Sequence, residues 1–126
     1  LGLTPQSVHA LGGFKVQGRG ADADRIIADA KALEAAGVFA LVLELVPAEL
    51  ATQITKELSI PTIGIGAGAG CDAQVLVWTD LMGITKSAPK LAKAYRNLRV
   101  EMTEAAKEFA ADVSSGQFPG PEQTFN

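Results

Sequence analysis

Residues Val38-Phe39-Ala40-Leu41-Val42-Leu43-Glu44-Leu45-Val46-Pro47 are apolar at every place but one before the proline. Near-continuous hydrophobicity marks a strand covered on both faces, the habit of parallel sheets. Pro47 suits the first turn of a helix, where its missing N–H had no partner. Leu50, Ile54 and Leu58 then give that helix a buried stripe. Ser59 breaks the stripe, and Pro61-Thr62-Ile63-Gly64-Ile65-Gly66 reads as the next strand. Two strands joined by a helix within about thirty residues form a βαβ unit.

The pattern extends in both directions. Upstream, Ile26, Ala30, Leu33 and Ala36 recur at helical spacing, with Asp22 or Asp24 as a cap and Gly37 as a left-handed stop. This predicts a helix over 23–36. Residues 5–20 hold four glycines and a proline without a sustained period, and read as a long loop. Downstream, Gln74-Val75-Leu76-Val77-Trp78 predicts a short strand. Residues 90–112 predict one long helix with Leu91, Tyr95, Leu98, Met102, Ala105, Phe109 and Val113 as its buried stripe. Strand–helix alternation predicts an α/β protein. Two architectures fit it, part of an eight-stranded βα barrel and a small doubly wound sheet. A complete barrel needs about 250 residues, so in a barrel these 126 residues make roughly half.

Composition narrows the function classes. Eleven basic against fourteen acidic side chains give a net charge of −3, which argues against a nucleic-acid binder. One cysteine excludes an intrachain disulfide and fits a reducing compartment. No apolar run reaches the roughly 18 residues that span a bilayer. The chain enters directly on Leu1-Gly2-Leu3-Thr4, as though inside a strand, while Ser114-Ser115-Gly116 and Phe118-Pro119-Gly120-Pro121 read as a tail. The expectation is the C-terminal portion of a longer protein.

Glu44 is the most informative residue, because it breaks an apolar strand three residues before Pro47, near the strand's C-terminal end. In α/β folds ligands bind at that end. Alternation places Ala40, Val42, Glu44 and Val46 on one face and Phe39, Leu41, Leu43 and Leu45 on the other. A carboxylate at the mouth of a barrel is partly desolvated, which suits it to proton abstraction near neutral pH. The duller alternative is a strand-end glutamate in solvent or paired with a lysine.

Gly64, Gly66 and Ala69 match G-x-G-x-x-A, a dinucleotide fingerprint. That motif requires a helix next, whereas Cys71-Asp72-Ala73-Gln74 runs into a strand-like segment. A glycine-rich turn that lets a ligand or another loop come close is the better account. His9, the only histidine, has no second ligand nearby, so it is assigned a surface or packing role. Cys71 reads as structural, and Lys15 and Arg19 as solvated loop cations. Trp78 could be core or a subunit contact, and Asp72 with Asp80 is too little for a metal site.

Several stretches together resemble one family. They are Leu1-Gly2-Leu3-Thr4-Pro5-Gln6, Leu11-Gly12-Gly13-Phe14-Lys15-Val16-Gln17-Gly18-Arg19, Val42-Leu43-Glu44-Leu45-Val46-Pro47 and Ile60-Pro61-Thr62-Ile63-Gly64-Ile65-Gly66-Ala67-Gly68. Gln74-Val75-Leu76-Val77 and Phe118-Pro119 with Glu122 and Phe125 complete the set. In this order they resemble the C-terminal half of ketopantoate hydroxymethyltransferases, along the whole chain.

The resemblance implies a (βα)₈ TIM barrel of the phosphoenolpyruvate/pyruvate type, with residues 1–126 as roughly its C-terminal half. It implies a cytoplasmic enzyme of pantothenate synthesis, usually a homodecamer. Such an enzyme deprotonates C3 of 3-methyl-2-oxobutanoate and adds the enolate to the one-carbon unit of 5,10-methylenetetrahydrofolate, giving 2-dehydropantoate. Mg²⁺ would bind the 2-oxo acid and stabilise the enolate. The general base would be Glu44. The magnesium-binding aspartates and the serine, lysine and second glutamate of the family's site lie upstream of the matching stretches, as does the histidine before L-G-[LF]-T-P-Q. Ala69-Gly70 departs from a common Pro or Asn pair, and Asp72-Ala73-Gln74 from D-G-Q. This chain alone is therefore expected to be inactive and to need the N-terminal half as partner. Its open strand edges should make it associate. The rival readings are a silent half-barrel serving assembly and a small nucleotide-binding module.

Overall fold

Strand β1, Leu41–Glu44, pairs in parallel with β2, Thr62–Ile65, with Leu41 opposite Thr62 and Glu44 opposite Ile65. Helix α2, Ala48–Glu57, joins them, completing the expected βαβ unit. The computed structural model describes residues 1–125. Two compact units divide the chain, Leu1–Leu76 and a second from Val77 on.

In the first unit a short strand β3, Ala73–Gln74, adds to β2, again in parallel, and the sheet order is β1-β2-β3. On the other edge of β1, Leu3 N donates to Glu44 O at 2.8 Å and Glu44 N to Leu1 O at 3.0 Å. That segment runs parallel to β1 as well. The strands thus follow chain order without a reversal.

Helix α1, Asp22–Ala35, buries Ile26 and Ala30, and α2 buries Leu50, Ala51 and Ile54. All five join Leu41, Leu43 and Val46 in one core, so both helices cover the same face of β1. Burial of that apolar area is the main favourable term of the unit. The end of α1 is tied down by Glu34, whose Oε1 accepts from Ser59 N at 2.7 Å, Ser59 Oγ at 2.7 Å and Ile60 N at 3.3 Å. The Ser59 hydrogen bonds, hydroxyl first, hold the Glu34 carboxyl below its ordinary range. Lys31 and Glu57 pair at 2.6 Å between the two helices.

Four expectations need correction. Neither Asp22 nor Asp24 caps α1; the cap position is Ala21, and Asp22 instead accepts from Gly18 N at 2.9 Å and from Arg25. The Arg25 guanidinium, with Gly18 N–H second, lowers the Asp22 carboxyl. The other end is as expected: Gly37 N bonds Glu34 O and Val38 N bonds Leu33 O, the paired closure of a Schellman end. Val46 is not on the face of Glu44, since it is only 2% exposed and lies in the core with Leu43. The physical reason is Leu45, whose φ of 49° breaks the alternation.

The third and fourth corrections concern 74–78 and 90–112. The strand covers only Ala73–Gln74, and Trp78 begins a short helix α3, Trp78–Leu81. The long helix, α4, is Leu98–Ser115. Tyr95 N donates to Leu81 O at 2.8 Å and Leu98 N to Met82 O at 3.0 Å, so these donors serve the end of α3 and the periodicity of 90–97 is overridden. Leu91 and Tyr95 fall outside α4, and none of the residues of α4 is buried. Within the second unit Phe109 meets Phe118 edge to face at 5.3 Å.

Candidate active site

The side chains of β1 and β2 divide by register. Leu41, Leu43 and their partners Thr62 and Gly64 are buried on the helix side. Val42, Glu44, Ile63 and Ile65 share the opposite face, where Val42 is 41% exposed and the other three are half-buried. Glu44 is therefore the last residue of its strand, at the C-terminal edge of the sheet, flanked on its own face by aliphatic neighbours.

Its main chain is fully engaged, through Leu1 and Leu3 on one side and, one residue on, through Leu45 N to Ile65 O at 3.0 Å on the other. The ion pairs among the described residues are Asp22–Arg25, Asp29–Arg25, Lys31–Glu57 and Glu104–Lys107. Glu44 is in none of them.

The glycine run packs against a helix. Gly68 sits at φ 77°, and a Cβ there would come within 2.4 Å of Ala48 Cβ, so the loop closes on the first turn of α2. After it comes β3, with no intervening helix to carry a pyrophosphate. Gln74 Nε2 ties the loop by donating to Gly68 O at 2.9 Å.

The remaining residues singled out by sequence are scattered. His9, Lys15 and Arg19 are exposed, Trp78 is 65% exposed and Cys71 is a half-buried free thiol. Asp80 is buried in α3. Asp72 serves structure: its Oδ2 accepts from Thr62 N at 2.8 Å and Thr62 Oγ1 at 3.1 Å, and Thr62 Oγ1 lies 2.7 Å from Thr55 Oγ1. The donors of Thr62, main chain first, hold the Asp72 carboxyl below its ordinary range. Among the described residues no group of three His, Cys, Asp or Glu side chains could hold a metal ion.

A depression of about 420 Å³ escaped the sequence reading. It brings Arg19 of the early loop beside Pro47, Glu49 and Gln53 at the start of α2. Only tertiary structure joins those segments, and no local spacing signals it.

Fold and site together define a parallel α/β protein with a lone carboxylate where such proteins bind their ligands. Residues 1–121 match the model of the ketopantoate hydroxymethyltransferase family, and the chain belongs to that family. The 3-methyl-2-oxobutanoate hydroxymethyltransferase of Acidothermus cellulolyticus is 62% identical over 120 residues, covering 94% of this chain and 44% of the relative. Those of a Nocardioides species and of Frankia casuarinae are each 55% identical over 126 residues, covering 99% of this chain and 43% of the relative. The chain thus spans less than half the length of the curated relatives it matches.

Proposed function

We propose that this chain supplies the C-terminal sector of a (βα)₈ barrel of the phosphoenolpyruvate/pyruvate type, and that the assembled enzyme transfers a hydroxymethyl group from 5,10-methylenetetrahydrofolate to 3-methyl-2-oxobutanoate. Strand order supports the barrel. A doubly wound sheet reverses its order at a switch point and carries helices on both faces. Here the order follows the chain and both helices cover one face. The uncovered face of Val42, Glu44, Ile63 and Ile65 is then the barrel interior.

In this reading Glu44 is the general base. It takes the C3 proton of the 2-oxo acid, and the electron pair left behind becomes the enolate between C2 and C3. The enolate carbon then bonds to the methylene carbon as that carbon's two bonds to the folate nitrogens break. Water supplies the hydroxyl, the C3 proton and a water proton pass to the two nitrogens, and 2-dehydropantoate and tetrahydrofolate leave. Val42, Ile63 and Ile65 keep water from the carboxylate's flank, where a lower dielectric strengthens every charge interaction. The observation that carries the assignment is the position of Glu44 at the C-terminal end of β1, on the face away from the helices.

The residues of this chain do not fit a Mg²⁺ site, having no group of three ligands among those described. The reading places the metal's ligands, and the clamp for the 2-oxo acid, on the N-terminal polypeptide that the relatives carry. It also makes the assembled enzyme a cytoplasmic homo-oligomer, a decamer by family resemblance. No helix among the described residues is long and apolar enough to cross a membrane.

Reconstitution tests the reading. The chain is co-expressed with the N-terminal portion of its Acidothermus relative and supplied with both substrates. Formation of 2-dehydropantoate by the pair, and by neither part alone, is the expected result. A folded pair that forms none, or a lone chain that forms it, defeats the proposal.

A further inference from the structure

The residue after Glu44 has a backbone that its side chain disfavours. Leu45 has φ 49°, and it is the one residue other than glycine with positive φ among those described. Left-handed backbone is uncommon for residues with a Cβ, and it persists only where the surroundings over-determine it. Here they do. Leu45 N donates to Ile65 O at 3.0 Å, and Leu45 O accepts from Gln17 N at 2.9 Å. The two bonds tie one residue to β2 and to the early loop at once.

The consequence is a reversal of sidedness. Extended backbone at Leu45 would carry Val46 onto the face of Glu44. Instead Val46 is 2% exposed in the helix-side core, and Pro47 starts α2 immediately after. Gly2 closes the corner from the other edge, since a Cβ there would come within 2.3 Å of Glu44 O and 2.5 Å of Val46 Cγ2. Strand β1 therefore stops at Glu44, and no later side chain of the strand shares its face.

We propose that Leu45 is a positioning residue: its left-handed corner ends β1 at Glu44 and fixes the carboxylate's aim across the open face. The proposal rests on Glu44 as the base. The conformation matters here, not the isobutyl group, so residues that adopt left-handed backbone readily should substitute for leucine and β-branched ones should not.

The test uses the complete enzyme, this chain together with the N-terminal portion of its relatives. Exchange of the C3 proton of 3-methyl-2-oxobutanoate for deuterium is followed by NMR for Leu45→Gly, Leu45→Asn and Leu45→Val, with Glu44→Gln beside them. Leu45→Gly and Leu45→Asn should keep the exchange rate within about threefold. Leu45→Val should lose kcat at least about tenfold with the KM for the 2-oxo acid within about twofold, while the acid limb of its pH profile stays where it is in the parent. A purely structural role would lower the yield of folded enzyme and leave kcat per folded molecule unchanged, which overturns the proposal. Should Leu45→Val fail to fold, the other two decide: loss of more than about tenfold in folded Leu45→Gly and Leu45→Asn overturns it, and retention supports it. If Glu44→Gln retains exchange, the base assignment fails instead, and the two failures stay distinct.

Discussion

Leu43→Ala and Val42→Ala alter adjacent residues of β1 and should differ severalfold in cost. Leu43 is 0% exposed in the core beneath α1 and α2. Removing three carbons there loses about 2.4 kcal/mol of transfer free energy at roughly 0.8 kcal/mol per methylene. The cavity left behind brings the total to about 3–5 kcal/mol. Val42 is 41% exposed on the open face, so deleting two carbons costs about 1 kcal/mol and leaves no closed cavity. For a unit of this size each kcal/mol moves Tm by about 4–8 °C. Thermal unfolding of the chain by far-ultraviolet circular dichroism is the assay, at one protein concentration so that association enters every midpoint alike. Leu43→Ala should lower Tm by at least about 12 °C and Val42→Ala by less than about 8 °C. In the complete enzyme, where the proposed barrel would cover the open face, the Val42→Ala penalty should rise to about 2 kcal/mol or more. Equal penalties for the two in the lone chain would refute the assignment of faces.

Two more outcomes follow from the same structure. The folded-state pKa of Asp72 lies below its unfolded value near 3.8, so its stabilising contribution is present above that pH and disappears as pH falls through the folded value. In urea titrations Asp72→Asn should therefore be less stable than the parent at pH 6, with the gap closing below about pH 4; a gap that stays constant with pH would contradict this. Exposed Val42, Val75, Trp78, Met102 and Phe109 leave much apolar surface uncovered. Sedimentation velocity of the lone chain should show species heavier than 13.1 kDa, and a monodisperse monomer would argue against it.

The parts of the fold that were legible are those set by local chemistry. Ile26 and Ala30 mark the inner face of α1, the bonds at Gly37 and Val38 end it, and the apolar run into Pro47 announces a buried strand followed by a helix. What stayed hidden depends on distant partners. Tyr95 and Leu98 look helical by spacing, yet their N–H groups are taken by carbonyls of Leu81 and Met82. The corner at Leu45 carries no glycine to announce it, so strict alternation misplaced Val46. The Thr62–Asp72 network joins residues ten apart in chain through tertiary bonds that neither composition nor period reveals. Glu44 was legible because a lone carboxylate in an apolar strand is conspicuous, whereas the depression beside Arg19 needs two separated segments brought together.

In the proposed reaction one carboxylate, Glu44, removes one proton. Deuterium uptake at C3 of 3-methyl-2-oxobutanoate, read by proton NMR in the complete enzyme, compares the parent with Glu44→Gln. The expected rate for Glu44→Gln is lower by at least about a hundredfold, the low end for a positioned general base, with binding of the 2-oxo acid retained. Exchange within about threefold of the parent would contradict the role of Glu44 as base.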